Sequence, residues 1–345
     1  MAYISFQPND YFNTLLYTGN NTDNRAITGI GFAPDLCWFK LRNTAQQHEL
    51  FDQVRGANKP ISSNLTNAQT TETNKLKSFD SDGFTLGTST SVNKVYNYVA
   101  WNWKANGAGS SNTDGSITST VSASTTSGFS IVKYTGGGAN ATVGHGLGSV
   151  PAMIIVKRLT GSGYQWMIYN KSVGNDKYLN LDDTGSVSGS SANYWNNTDP
   201  TSSVFSIGVD TAISGSGAEH IAYCFAEKKG FSKFGSYTGN GNADGVFVYT
   251  GFKPAFVLFK ETTQARDWII YDNKRIGFNP TQSQLKANEN ESEATDTTAP
   301  IDLCSNGFKL RGTKTWINES GQTYIFMAFA EHPLVSSNGV PATAR

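Results

Sequence analysis

At 345 residues the chain has room for two or three hydrophobic cores of ordinary domain size. Its 27 Lys+Arg balance 27 Asp+Glu, so no net field draws it to nucleic acid, an anionic membrane or an acidic substrate. Charged residues make up only 16% while 20 Phe, 15 Tyr and 7 Trp exclude a disordered chain, which leaves Asn, Ser, Thr and Gly to carry the surface.

The first ten residues, MAYISFQPND, contain no basic stretch followed by an apolar run, and no segment approaches the ~18 apolar residues of a membrane span. A soluble protein without export signal or membrane insertion is expected. From there a set of landmarks recurs three times. Tyr17-Thr18-Gly19, Tyr134-Thr135-Gly136 and Tyr237-Thr238-Gly239 open the copies. A proline follows in each, Pro34, Pro151 and Pro254, with a lysine six residues later at Lys40, Lys157 and Lys260. Proline suits a strand entrance, where its missing N–H is tolerated. The stretches Leu36 to Phe39, Met153 to Val156 and Phe256 to Phe259 are nearly continuous in apolar side chains, as in strands buried on both faces.

Eight or nine residues beyond the lysine a further matching set, His48 to Asp52, Trp166 to Asn170 and Trp268 to Asp272, precedes the closing strands Tyr98 to Trp103, His220 to Phe225 and Tyr324 to Phe329. In these the large residues Val99/Trp101/Trp103, Ile221/Tyr223/Phe225 and Ile325/Met327/Phe329 alternate with a face of mostly small ones. Period two is strand geometry, and it predicts that each large face lines the core of its own copy. The division that follows is a β domain over 1–104, a linker over 105–127, and β domains over 128–229 and 230–345. The linker reads ANGAGSSNTDGSITSTVSASTTS, with almost nothing to bury, and a flexible hinge is expected there, with a threaded strand lying on a neighbour as the alternative. Copies 2 and 3 abut through Glu227 to Gly230, so copy 1 is the one expected to swing. A second polar stretch, Asn288 to Pro300, reads as a long surface loop.

No catalytic motif is present: Gly136-Gly137-Gly138 lies between strands, and Cys37, Cys224 and Cys304 fall at unrelated landmarks, as buried thiols rather than a disulfide framework. His48 stands where the other copies have Trp166 and Trp268, as a core replacement, so no metal and no cofactor is assigned. Asn-x-Ser/Thr sequons such as those at Asn64 and Asn140 carry no weight outside a secretory context. Asp52 with Arg55 and Asp272 with Arg275 are spaced to close a turn as structural ion pairs, and copy 2 lacks the pair. Tyr194, Trp195 and Asn196, with Trp316 and Asn318, have the composition of a glycan platform, an aromatic flanked by amides.

The segments YFNTLLYTGN, TGIGFAPDLCWFK, FDQVRGANK, YVAWNWKA, FVLFKETTQARDWIIYDNKR and YIFMAFAEHP resemble the tandem β domains of tail-fibre-like and other virion structural proteins of marine bacteriophages, including cyanophages. That resemblance covers nearly the whole chain outside 105–127. It implies lectin-like sandwiches of concanavalin or jelly-roll type without a cofactor. The function expected from it is a non-enzymatic virion structural protein, a tail-fibre or appendage subunit contributing to host adhesion. A head fibre or capsid decoration protein, a soluble carbohydrate-binding module and a glycan depolymerase are the alternatives. Expected partners are other virion proteins, a host-surface glycan, and further copies of the chain in a homo-oligomer, a trimer above all, since sandwiches in a row leave sheet edges to cover.

Overall fold

The computed structural model describes residues 4–333; residues 1–3 and 334–345, the outer ends of the first and last expected domains, lie outside the described residues. The chain is all-β, built from antiparallel sheets packed as sandwiches. The first unit contains β1 (Phe12–Thr18), β2 (Arg25–Thr28), β3 (Leu36–Leu41), β4 (Glu49–Asp52), β5 (Leu76–Asp80), β6 (Gly83–Leu86) and β7 (Asn97–Trp103). The second contains β8 (Ser110–Asn112), β9 (Ser119–Ser124), β10 (Phe129–Thr135), β11 (Ala141–Gly144), β12 (Pro151–Arg158), β13 (Met167–Asn170), β14 (Leu179–Asn180), β15 (Val204–Ile207) and β16 (Glu219–Ala226). The third contains β17 (Ser232–Thr238), β18 (Phe247–Tyr249), β19 (Phe252–Glu261), β20 (Ile269–Asp272), β21 (Ser283–Lys286), β22 (Ala294–Thr295), β23 (Ile301–Cys304), β24 (Gly307–Leu310) and β25 (Thr323–Pro333). Three single-turn helices, α1 (Ala192–Trp195), α2 (Thr211–Ser214) and α3 (Thr315–Asn318), sit in the connections.

One strand order recurs: β1-β7-β3-β4, then β10-β16-β12-β13, then β17-β25-β19-β20. A smaller sheet covers one face of each, β2-β6-β5, β11-β15 and β18-β24-β23 respectively. The Tyr-Thr-Gly landmark is explained by this geometry. Tyr17, Tyr134 and Tyr237 each donate their hydroxyl across the unit to a turn or short-helix carbonyl, that of Val92, Ile213 and Ile317. The glycine lets that turn approach: a Cβ on Gly19, Gly136 or Gly239 would lie 1.7 Å, 2.6 Å or 2.3 Å from a backbone carbonyl oxygen.

The doubly buried strands show how the units associate. Cys37 and Phe39, Ile154 and Val156, and Val257 and Phe259 face the smaller sheet of their own unit, each in a separate core. Leu36 and Trp38, Met153 and Ile155, and Phe256 and Leu258 face the other way, into a single cluster that draws on all three units. The large faces of the closing strands join that cluster. Val99, Trp101 and Trp103 of β7 meet Ile221, Tyr223 and Phe225 of β16 and Ile325, Met327 and Phe329 of β25 there, while Ala100, Ala222 and Ala328 face the sandwich interiors. The expectation that each large face lines its own sandwich is therefore corrected. Alternation fixes which residues share a face but not which neighbour that face meets. Phe12, Trp103, Phe256 and Phe329 form the densest contact, with ring centroids 5.0 to 6.3 Å apart. An apolar void of about 10 Å³ lies inside the shared cluster, at the lower limit for one water and too dry to hold it.

Residues 105–127 are not a hinge. β8 and β9 extend the large sheet of unit 2, with β9 paired to β10 from Phe129↔Ser124 to Tyr134↔Ser119. A ladder satisfies backbone groups whatever the side chains, and the buried serines find partners: Ser122 accepts from the Asn106 N–H at 2.8 Å and Ser119 donates to the Gly144 carbonyl at 3.0 Å. Asp35 of unit 1 accepts from the N–H groups of Ala105 and Gly107, at 2.6 and 3.0 Å, and so ties the start of the segment down. Unit 1 is thus packed against both others rather than swinging. Nor is Asn288 to Pro300 only a surface loop. Its first half forms the seam with unit 1, where Glu293 takes a bidentate contact from Arg42 at 2.9 Å on both oxygens.

Because one core serves three units, Trp103→Ala or Phe329→Ala should each cost about 3–5 kcal/mol and lower a single calorimetric transition of the whole chain. Separate melting of unit 1, or release of an intact 1–104 fragment by brief proteolysis within 105–127, is the result that would contradict the shared core.

Candidate functional site

The residues that carry chemistry divide between the seams, where they join units, and one face of unit 3. At the seams the contacts run in one cyclic direction. His48, Trp166 and Trp268 occupy the same position in successive units. Each directs a ring N–H to a backbone carbonyl of a neighbour: His48 Nε2 to Lys286 of unit 3, Trp166 Nε1 to Ser62 of unit 1, and Trp268 Nε1 to Asn180 of unit 2, at 2.9, 2.9 and 2.7 Å. His48 can replace tryptophan because its Nδ1 accepts from Trp38 Nε1 at 2.8 Å, which fixes the Nε2–H tautomer. Burial, with the charge of Lys40 adding to it, holds this imidazole well below its ordinary range, so it is neutral.

The landmark lysines are buried as well. Lys40 Nζ donates to the Leu41 and Asn290 carbonyls, Lys157 to that of Tyr164, and Lys260 to those of Thr184 and Arg266. Lys40 thereby reaches unit 3 and Lys260 reaches unit 2. Burial pulls each ammonium down to about 8.

Asp52 and Arg55 form a buried ion pair, Nε to Oδ2 at 2.5 Å, and Asp272 and Arg275 repeat it at 2.6 Å. Each aspartate also anchors the arginine backbone N–H at 2.9 Å, and each guanidinium caps the strand before it through the Leu50 or Ile270 carbonyl. Across the seams, Asp52 Oδ2 accepts from the Tyr223 hydroxyl at 2.8 Å and Asp272 Oδ2 from Trp101 Nε1 at 3.1 Å. The third position in this cycle is Met327, which has no proton to donate. Its neighbour in unit 2 carries Asn170 and Val173 in place of Asp and Arg. The pair is present where the neighbour supplies a donor and missing where it supplies a thioether.

Of the two expected glycan platforms, the one at Trp195 does not hold. Trp195 is 1% exposed and packs on Tyr169 inside the core of unit 2, so no sugar can stack on it. The flanking amides suggested exposure, but α1 turns its tryptophan inward. Tyr194 lies against Tyr178 with centroids 3.8 Å apart, and Asn196 is the left-handed cap of α1, its side-chain oxygen accepting from Asn140. Trp316 is half-buried, with Lys314 Nζ 4.7 Å from its ring centroid. Asn318 is fully buried, and its amide bridges the Asn242 and Gly312 carbonyls. Cys37 and Cys224 are buried thiols pushed up by that burial, whereas Cys304 is only half-buried on β23.

The exposed aromatics among the described residues are elsewhere: Tyr96 on unit 1, and the three most exposed on unit 3. Phe247 and Tyr249, 42% and 57% exposed, stand side by side on the outer face of edge strand β18, opposite Lys309 and Gly307 of β24. The sequence signal was available in Val246-Phe247-Val248-Tyr249, a strand apolar on both faces where its sandwich needs only one. Phe278, 72% exposed, stands at the rim of a cleft of about 600 Å³ whose lining includes Lys253, Asn273, Lys274, Asn279, Thr281 and Glu331. Lys253 and Glu331 pair at 2.8 Å on one wall. The Asn279 amide makes two bonds to the backbone of Leu303, donating at 3.0 Å and accepting at 2.9 Å, which holds the loop in shape.

Replacing Asp52 or Asp272 by Asn should cost about 3–5 kcal/mol, since each leaves a buried guanidinium without its counter-charge; denaturant titration of both variants measures it. A second expectation concerns pH. Burial, followed by the charge of Arg158, lowers His220 to about 4, so between roughly 6.5 and 4 the unfolded chain binds a proton there that the folded chain does not. Stability from this group is therefore present above that window and lost as pH falls through it. The stability advantage of His220→Phe over wild type should grow on acidification by up to about 1.4 kcal/mol per pH unit across the window, and a pH-independent difference would contradict the assignment.

No curated protein matches the chain. A single family model does, over residues 7–333, and so spans all three units. The chain belongs to the family described as a domain of unknown function, DUF7483.

Proposed function

We propose that the protein is a virion structural protein, an appendage or tail-fibre subunit that contributes to host adhesion, as its resemblance to phage virion β domains implies. The observation that carries this reading is where its polar chemistry goes. Two of the three buried lysines, both buried Asp–Arg pairs and the His48/Trp166/Trp268 set join the units about one core, while the three most exposed aromatics among the described residues are on unit 3. A rigid body with its most exposed aromatics on one lobe suits a part that is mounted and makes contact. The packing about an axis expected between separate chains occurs here between units of one chain, so one copy already presents three lobes. A trimer of such chains, with other virion proteins as partners, remains part of the proposal. The exposed aromatics also favour a carbohydrate-binding role, within the particle or apart from it.

The test is to purify particles from cells that carry the gene, identify their proteins by mass spectrometry and locate this one by electron cryo-microscopy. The expected outcome is a stoichiometric component at the periphery of a tail appendage, seen as three-lobed density with unit 3 outermost. Placement on the capsid shell would support the head-decoration alternative, and absence from particles would reject the virion reading.

A further inference from the structure

The likeness of the three units fails at one hairpin. Leu50 bridges Ile61 and Ile168 pairs with Leu179, each eleven positions on, whereas Ile270 pairs with Leu285, fifteen positions on. The fold closes with the shorter connection twice, so the four added residues of unit 3 serve something other than closure. They belong to the loop that carries Phe278, the most exposed large hydrophobic side chain among the described residues, and to the cleft of about 600 Å³ beneath it. That volume falls within the ordinary range of small-ligand sites.

We propose that this cleft binds a hexose-based saccharide chain, an inference that rests on the adhesion part of the function proposed above. The lining matches a polyhydroxylated ring. The exposed face of Phe278 would cover the C–H face of a pyranose, which removes apolar surface from water on both sides. Asn273 and Thr281 put amide and hydroxyl side chains in the cleft lining, groups of the kind that exchange hydrogen bonds with sugar hydroxyls. The carboxylates nearby already have cations, Asp272 with Arg275 and Glu331 with Lys253, so no carboxylate of the cleft calls for a cationic ligand. Asn279, locked to Leu303, keeps the rim formed before a ligand arrives, and little ordering entropy is lost on binding.

Saturation-transfer NMR on the full chain with soluble maltohexaose, cellohexaose, laminarihexaose and mannohexaose tests this directly. Transfer to at least one is expected, with affinity falling about tenfold or more in Phe278→Ala and unchanged in Tyr96→Ala, an exposed aromatic of unit 1. Phe278 lies at the surface, so its variant should melt with the wild type. Silence toward all four sugars, equal binding by Phe278→Ala, or binding lost in Tyr96→Ala alone would overturn the assignment. Particle localisation is read separately, so a virion component that binds no sugar rejects this site alone, and a sugar-binding protein absent from particles rejects the virion reading alone.

Discussion

The structure depends on the burial of three large-residue strand faces that no single sandwich can cover. Each unit has a small sheet on one side, against which alanines and a few aromatics are enough. Its other side presents residues such as Trp101, Tyr223 and Met327 that would otherwise be left to water. With the three faces turned toward one another, every unit completes its neighbours' core. None is a domain in the sense of owning all its apolar contacts, and the single family model running from residue 7 to 333 fits that physical unit.

Apolar packing alone would tolerate rotation or slippage of one unit against the next, because it is not directional. Direction comes from the seams. A buried aspartate that must accept from a specific tyrosine or indole, and a ring N–H that must find a specific carbonyl, are satisfied in one register only. Unit 2 shows that the rule is chemical rather than ornamental. Where the facing residue is Met327, a carboxylate would gain no bond and its arginine would be buried for nothing, and the sequence there has Asn170 and Val173.

Much of this was legible in the chain. The landmarks, the strand alternation and the all-β class follow from spacing and side-chain size, and the Asp–Arg spacing pointed to the turn the pair closes. What was not legible depends on partners distant in sequence. Val99, Trp101 and Trp103 declare a buried face without saying against what, so a shared core looks like three private ones. Residues 105–127 look like a linker because side-chain polarity was read as lack of structure, whereas β8 and β9 are held by backbone ladders and serine hydroxyls. Trp195 was misplaced for the opposite reason. Amides around an aromatic suggest a wet surface, but a four-residue helix can turn the tryptophan inward and leave the amides outside as its cap.

The departures from likeness between the units are informative in proportion to what the fold needs. The exchange of tryptophan for His48 keeps a seam bond and so belongs to the architecture, as does the loss of the ion pair opposite Met327. The longer hairpin of unit 3 and the aromatic pair on β18 preserve no bond that the other units make. Both leave apolar surface in water, a standing cost of roughly 25 cal/mol per Å² that the fold does not recover. The three most exposed aromatics among the described residues stand on one lobe of a charge-poor surface, and the proposed contact would therefore be made by unit 3 rather than by the pseudo-symmetric centre, where the sequence is most regular.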